Sequence, residues 1–285
     1  GGGVVGLSVA YFLAPRSSVV VLEREDQLGY HSSGRSAAMY IEGYENPTVQ
    51  KLTLAGKDFF FDPPEDFSEY ALLSKCGGLT IAGPQEVGRL ETYCAAWSAT
   101  CPDLRRLNVE QTTEIVPIID PSWLSGAAFD PSWHSIDVHG LLTGFERGVR
   151  AGRGEIKKSS PVTKITRNGR VWELTTPGEV VEAEVVVNAA GAWANAIAAL
   201  AGVEPKPLVP LRRTAAIVPG PEQISGWPMV HKVSGNLYFK PESPGLMVCP
   251  QDETPAEAID AFALEVDVAM AIEQFQRVTS HRVGR

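Results

Sequence analysis

The chain has 285 residues, enough for one large domain or two modest ones. Hydrophobic residues make up 44% and charged residues 21%, ordinary values for a globular protein with a real core. Lys plus Arg is 25 against 34 for Asp plus Glu, so the formal charge is −9, and with no basic block this argues against nucleic-acid binding. No apolar run reaches the roughly 20 residues that span a bilayer, so no transmembrane segment is expected. Cys76, Cys94, Cys101 and Cys249 form neither a CxxC pair nor a His/Cys cluster, which points away from a metal site and from a disulfide framework. Reduced thiols, with no signal peptide read at the start, lead to the expectation of a cytoplasmic protein.

Residues 6–14 carry apolar side chains at helical spacing, and residues 18–23 form a β-branched run ending in a carboxylate. The chain therefore opens turn–helix–strand. Helices are predicted over 47–61, 84–97 (with Pro84 at its start), 109–115, 138–150, 192–201 and 255–278. Strands are predicted over 79–82, 162–167, 171–176, 180–188, 212–218, 236–240 and 245–249, with Asn168-Gly169 as a two-residue hairpin signal. The chain starts at Gly1-Gly2-Gly3 without an initiator Met and without the buried strand that usually precedes such a loop. It also stops at Arg285 without a terminating element. We expect it to be a piece of a longer protein, cut at both ends.

Gly1-Gly2-Gly3-Val4-Val5-Gly6 fits the GxGxxG pattern. Its glycines, Gly1, Gly3 and Gly6, allow a tight turn, close approach of backbone to a diphosphate, and close helix–strand packing. The helix N-terminus then offers free N–H donors and partial positive charge. Glu23, roughly 20 residues beyond Gly1, suits the two ribose hydroxyls and disfavours a 2′-phosphate. The combination predicts a Rossmann-like dinucleotide site. His31–Ala38, small and polar with one cation, suits a second pass along a long cofactor. Val185–Trp193, a buried strand running into small residues and Gly191, lets backbone approach a ligand. Both favour FAD over NAD. The expected fold class is α/β (α+β): a Rossmann-like FAD-binding domain made of 1–75, 137–204 and 251–285, and a second antiparallel-sheet substrate domain made of 76–136 and 205–250.

VVVLERE, GYHSSGRSAA, Pro63-Pro64, Val116–Ile118, VVNAAGAWANAIAALAGV and the LRRTA…WPM…LYFKP pattern resemble the D-amino-acid oxidase (DAO) family of FAD-dependent oxidoreductases, within it most closely the bacterial D-arginine dehydrogenases. The resemblance implies cofactor contacts at Gly1, Gly3, Gly6, Glu23, Arg24, Ser32, Ser33, Arg35, Ser36, Ala37, Ala38, Val162, Asn188, Gly191 and Trp193. It implies substrate-carboxylate contacts at Arg213 and Tyr238, and an active-site loop tyrosine at Tyr44. The reaction implied is oxidative deamination, with a hydride passing from the substrate Cα to flavin N5 to leave an imino acid.

Two departures bear on substrate. Where the arginine enzymes carry an active-site His, this chain has Met39, which as a gap-filling residue suits packing. Where they carry a Glu facing the substrate guanidinium, this chain has Gly78. A cationic side chain would be left unpaired there, so an apolar D-amino acid or related amine is the expected substrate. A glycine- or sarcosine-type amine oxidase, an NAD-dependent dehydrogenase and an inactive truncated flavoprotein remain as alternatives, and the electron acceptor is left open. His134 and His139 are read as structural.

Overall fold

The computed structural model describes residues 1–43 and 46–284. Helix α1 (Val4–Leu13) begins directly after Gly3, which has no side chain to cap it. Strand β1 (Val20–Leu22) pairs in parallel with β8 (Glu155–Lys157), which follows helix α6 (Val138–Ala151). Leu7 and Ala10 of α1 pack with Leu141, Phe145 and Val149 of α6 in one apolar cluster. Between these lie β2 (Met39–Tyr40), α2 (Pro47–Ala55), α3 (Lys57–Phe61) and β3 (Leu73–Lys75). The single helix expected over 47–61 is two. The Asn46 side chain caps α2 by accepting from the Thr48 and Val49 N–H groups, and the chain breaks at Gly56. β2 and β3 flank β7 (His134–Ile136) in an antiparallel sheet.

The largest sheet has seven strands in the order β13-β16-β15-β14-β4-β6-β5. They are β4 (Gly78–Ala82), β5 (Arg105–Leu107), β6 (Gly126–Asp130), β13 (Ala216–Val218), β14 (Met229–Lys232), β15 (Tyr238–Glu242) and β16 (Gly245–Cys249). The expected antiparallel sheet is in fact mixed. β14 and β4 run parallel, with His231 opposite Thr80. That pair joins strands from 78–130 to strands from 216–249. Leu79, Ile81, Val230, Phe239, Leu246 and Val248 form the core with Ala271, Phe275 and Val278 of helix α8 (Glu265–Val278). Helix α5 (Val109–Ile115), capped reciprocally by Asn108 and Gln111, follows β5. Helix α4 (Val87–Trp97) presses Leu90 against Ala82 and Ala128.

β9 (Lys164–Asn168), β10 (Val171–Thr175) and β11 (Val180–Ala183) form a separate antiparallel sheet. Asn168 pairs with Val171, so the turn residues are Gly169 and Arg170, one position later than expected, with Gly169 at φ +63°. The strand expected to reach Asn188 stops at Ala183. Val185 and Val187 are 76% and 52% exposed, and among the described residues no strand pairs with them, so the apolar run has no ladder to join. Helix α7 (Ala194–Leu200) follows a short turn at Gly191–Trp193. β12 (Leu211–Arg212) pairs with β17 (Thr254–Pro255). The run expected over 212–218 breaks at Thr214, whose N–H and hydroxyl both donate to the Asp252 carboxylate at 2.6 and 2.9 Å. Helix α8 starts at Glu265 rather than near 255, and residues 256–264 run irregularly.

Candidate functional site

The glycine loop is as tight as its sequence demands. A Cβ on Gly6 would collide with the Gly1 carbonyl oxygen, and one on Gly1 would stand 2.6 Å from the Ala189 oxygen, so residues around 189 lie against the loop. Ser33 Oγ accepts from the Val4 N–H at 3.0 Å, bringing the 31–38 loop to the start of α1. Gly3 faces the same hydroxyl. The buried Glu23 carboxylate accepts from the Gly2 N–H at 2.5 Å and the Glu25 N–H at 2.8 Å, so it is held to the loop by backbone donors. The Ser160 N–H donates to the Glu23 carbonyl at 2.7 Å, which lays the segment leading to Val162 beside the end of β1.

On the other side of the loop, the exposed Asn188 shapes the turn. Its Nδ2 donates to the Ala194 carbonyl at 2.8 Å and its Oδ1 accepts from the Ala190 N–H at 3.3 Å. Gly191 takes φ +53°, a left-handed value that favours glycine. The Trp193 ring meets the Arg24 guanidinium and the His31 ring, each 4.6 Å away. Glu25 Oε1 pairs with Arg24 at 2.9 Å and with His31 at 3.0 Å. A helix N-terminus, a glycine approach, two serine-bearing turns and nearby guanidinium groups form a donor set that fits a dinucleotide diphosphate.

A cavity of about 1220 Å³ opens beside this loop. Ser32, Arg35, Ser36, Ala37, Ala38 and Trp193 line one side, and Arg213 and Tyr238 another. Gly1, Gly3, Gly6, Glu23, Arg24, Ser33, Val162, Asn188 and Gly191 lie outside its lining. Ala38 takes φ +48°, costly for a residue with a Cβ, and its N–H donates to Ser36 Oγ at 3.0 Å. Tyr44 lies outside the described residues.

Arg213 Nη2 pairs with Glu253 Oε1 at 2.5 Å and its Nε donates to the Asp252 carbonyl at 3.3 Å; the paired side chains are 39% and 63% exposed. An ion pair that open to water is weak and exchangeable, so the guanidinium can trade its carboxylate for another. Tyr238 is buried in β15, opposite Cys249 of β16. Its neighbour Cys249 has a thiol that burial pushes up from its usual range. Arg212, unremarked in the sequence, also lines the cavity and makes a 2.6 Å ion pair with Asp267 of α8.

The far wall is aromatic. The Trp133 indole lies over Gly78, where any Cβ would collide with it. Its Nε1 donates to Asp130 Oδ2 at 3.2 Å, and its ring stacks on His231 at 5.3 Å and 25°. His231 Nε2 lies 2.6 Å from Thr80 Oγ1, and the Tyr93 ring is 5.9 Å away. His231 shows part of its surface to the cavity, while its imidazole is enclosed by these partners. That enclosure pushes its pKa down to about 4, so it is neutral at pH 7. Burial pushes the Tyr93 phenol up to about 12. Met39 accepts from Ser135 Oγ at 3.8 Å and packs with Ile41, Trp133 and Tyr238.

Among the described lining residues, Arg35, Arg212, Arg213 and Lys232 face a single acid, Glu257. Each cation is paired: with Asp260, Asp267, Glu253 and Glu86 respectively. The lining thus combines exchangeable cations such as Arg213 with the aromatic faces of Trp133 and Tyr93. His134 Nδ1 contacts the Ser132 carbonyl at 2.7 Å, and His139 is exposed on α6; neither lines the cavity. His231, Trp133 and Tyr93 escaped sequence reading because they come from β14, the end of β6 and α4, and it is the pairing of β4 with both β14 and β6 that places the first two. The one local sign was the alternation that places His231 opposite Val230 across the strand.

The family described as "DAO: FAD dependent oxidoreductase" matches residues 1–281. Among curated relatives, human mitochondrial dimethylglycine dehydrogenase is 24% identical over 262 residues, covering 88% of this chain and 30% of its own length. Human mitochondrial sarcosine dehydrogenase is 26% identical over 284 residues, covering 92% and 30%. The chain thus spans less than a third of these relatives. Among solved structures, L-proline dehydrogenase from P. horikoshii superposes with a TM-score of 0.84 at 21% identity, over 100% of this chain and 78% of that one. Glycine oxidase from Geobacillus kaustophilus superposes at 0.81 and 21% identity, over 98% and 76%. The mixed α/β fold is shared with both, and no helix among the described residues is long and apolar enough to cross a membrane. FAD is the family's cofactor, and the glycine loop and the start of α1 are the elements that would hold it. This chain belongs to the DAO family of FAD-dependent oxidoreductases.

Proposed function

We propose that the chain carries the substrate site of an enzyme that oxidatively deaminates an apolar D-amino acid or a related amine. The observation that carries this reading is the Trp133 indole lying over Gly78, which replaces any acidic group at that wall with an aromatic plate. When bound, FAD supplies a two-electron acceptor at N5 for the hydride leaving the substrate Cα. Arg213 then holds the substrate carboxylate bidentately, exchanging it for Glu253, and Tyr238 orients it from β15. Trp133, Tyr93 and the neutral His231 exclude water from the substrate side chain. The imino acid takes up water and yields a 2-oxo acid and ammonia. Gly1, Gly3, Gly6, Glu23, Arg24, Ser32, Ser33, Arg35, Ser36, Ala37, Ala38, Val162, Asn188, Gly191 and Trp193 form the cofactor side in this reading, with Tyr44 on a loop at the substrate side. Residues 1–75 and 137–204 make up the cofactor unit, and 76–136 with 205–250 the substrate unit. By its packing against the large sheet, α8 goes with the latter. The free cysteines suit a reducing cytoplasm.

A second reading is oxidation of an N-methylated glycine, supported by the two curated relatives named for sarcosine and dimethylglycine. The test is anaerobic flavin reduction by the FAD-loaded protein with D-valine, D-phenylalanine, D-arginine, sarcosine and N,N-dimethylglycine. Fastest bleaching by D-valine or D-phenylalanine supports the first reading, and fastest bleaching by the N-methylated pair supports the second. D-Arginine as the best substrate overturns the argument from Trp133.

A further inference from the structure

Residues 256–263, expected to be helical, form a strap along the cavity instead. Ala256, Ile259, Ala261 and Phe262 line the cavity, although Phe262 is 76% exposed and Ile259 57%. The strap is anchored at both ends. Its first N–H, from Ala256, donates to the Pro210 carbonyl at 3.0 Å beside the β12–β17 pair, and α8 begins at Glu265. Its middle is tied to the 31–38 loop. Arg35 Nη2 reaches Asp260 Oδ1 at 2.7 Å, Arg35 Nη1 donates to the Ala261 carbonyl at 3.0 Å, and the Tyr30 hydroxyl donates to Asp260 Oδ2 at 3.1 Å. His31 Nδ1 stands 3.9 Å from Asp260 Oδ1, and the Arg35 guanidinium also lies 4.9 Å from the Tyr30 ring centre. Arg35 is thus shared between the loop expected to hold the cofactor and a strap about 225 residues further along the chain. With two exposed apolar side chains over the cavity and one charged tie in its middle, the strap has the form of a bar held by a latch.

We propose that Asp260 is a positioning residue: through Arg35 it latches the 256–263 strap onto the cofactor loop, and this latch governs how fast FAD enters and leaves. The proposal rests on the reading of 31–38 as a cofactor loop. The bonds that form the latch are solvent-open and charge-assisted, so they break and re-form without disturbing either anchor. Opening exposes a path to the cavity, and closing restores the Arg35 geometry. Because the latch acts on both directions of passage, loosening it speeds loading and loss together. A purely structural defect would raise loss and lower affinity instead.

The experiment compares the wild-type chain with Asp260→Asn and Asp260→Glu. FAD association and dissociation are followed by flavin fluorescence in stopped flow, at low and high NaCl. Separately, the strap is probed without FAD by chymotrypsin cleavage after Phe262. For Asp260→Asn we expect both rates to rise about fivefold, the worth of a modest exposed charge network. The dissociation constant should stay within about twofold, and cleavage after Phe262 should accelerate. High salt should speed exchange in the wild type and leave Asp260→Asn almost unchanged. Asp260→Glu should restore much of the slow exchange. Unchanged exchange rates, or a rise in dissociation alone with matching loss of affinity, would overturn the latch. If the wild-type chain fails to take up FAD, the cofactor reading of the loop fails on its own. The cleavage experiment then decides the latch, and equal cleavage in wild type and Asp260→Asn would sink it.

Discussion

Acidification should destabilise this fold in part through one buried side chain, His231. Its imidazole is packed between Trp133 and Tyr93, with Nε2 against the Thr80 hydroxyl, and its neighbour along the chain is the cationic Lys232. Among the described residues no carboxylate pairs with the ring to reward a positive charge; Asp130 is turned to the Trp133 Nε1 instead. The folded pKa is about 4 against an unfolded value near 6.5. Between those values the unfolded chain binds a proton there that the folded chain does not. Stability therefore rises with pH across this window, is fully present above about 6.5, and is lost as pH falls toward 4. The gap of about 2.5 pH units corresponds to about 3 kcal/mol. Urea unfolding between pH 7.5 and 4.5, run on the wild type and on His231→Phe, isolates the effect. Phe keeps the plate under Trp133 but cannot titrate, and the remaining histidines and carboxylates are common to both proteins. The difference in unfolding free energy between the two should shrink by about 2–3 kcal/mol over that range. Parallel pH profiles, within about 0.5 kcal/mol, would show that His231 is already charged or does not feel its enclosure.

Two further substitutions test the packing of the site. Asp267→Asn strands the Arg212 guanidinium, whose side chain is only 18% exposed and whose Nε already lacks a partner, so it should cost about 3 kcal/mol in urea unfolding; Arg212→Met with Asp267→Leu should recover most of that loss. Gly78→Glu alone should destabilise the fold by about 1–3 kcal/mol through overpacking against Trp133, read as a lower melting temperature, without conferring D-arginine oxidation; if it raised that activity, the Trp133 plate would not be what fills the wall.

The local features were the readable ones. The glycine turn, α1 and the strand ending at Glu23 lie within 23 residues, so spacing alone exposed them. α5 and α6 fall where helices are expected over 109–115 and 138–150, and in the structure Asn108 and Asp137 cap them. What local pattern could not show was set by distant partners. The helical composition of 256–264 yields to Arg35, which binds the Asp260 carboxylate and Ala261 carbonyl from far away in sequence. The strand read through Asn188 lacks a neighbour to complete its ladder among the described residues. Gly78 reads as standing where the arginine enzymes carry a carboxylate, and that reading is silent about what covers the position. Trp133 arrives from the end of β6, placed by the pairing of β4 with β6. Arg212 and Arg213 are adjacent and alike in sequence, and only their alternation along the chain sends one to the buried Asp267 and the other to the exposed Glu253.

The parallel pairing of β14 with β4 has a consequence for how this chain can be divided. All strands on one side of that seam come from residues before 131, and all on the other from residues after 215. A truncated or half-synthesised chain ending short of Met229 would present β4 as a bare edge, with the unpaired backbone groups of Gly78–Ala82 exposed to any strand that met them. Leu79 and Ile81 would lose Val230 and Phe239 from their side of the core at the same moment. Each half is thus the other's edge protection, and the sheet becomes safe from aggregation only after most of the chain has been made.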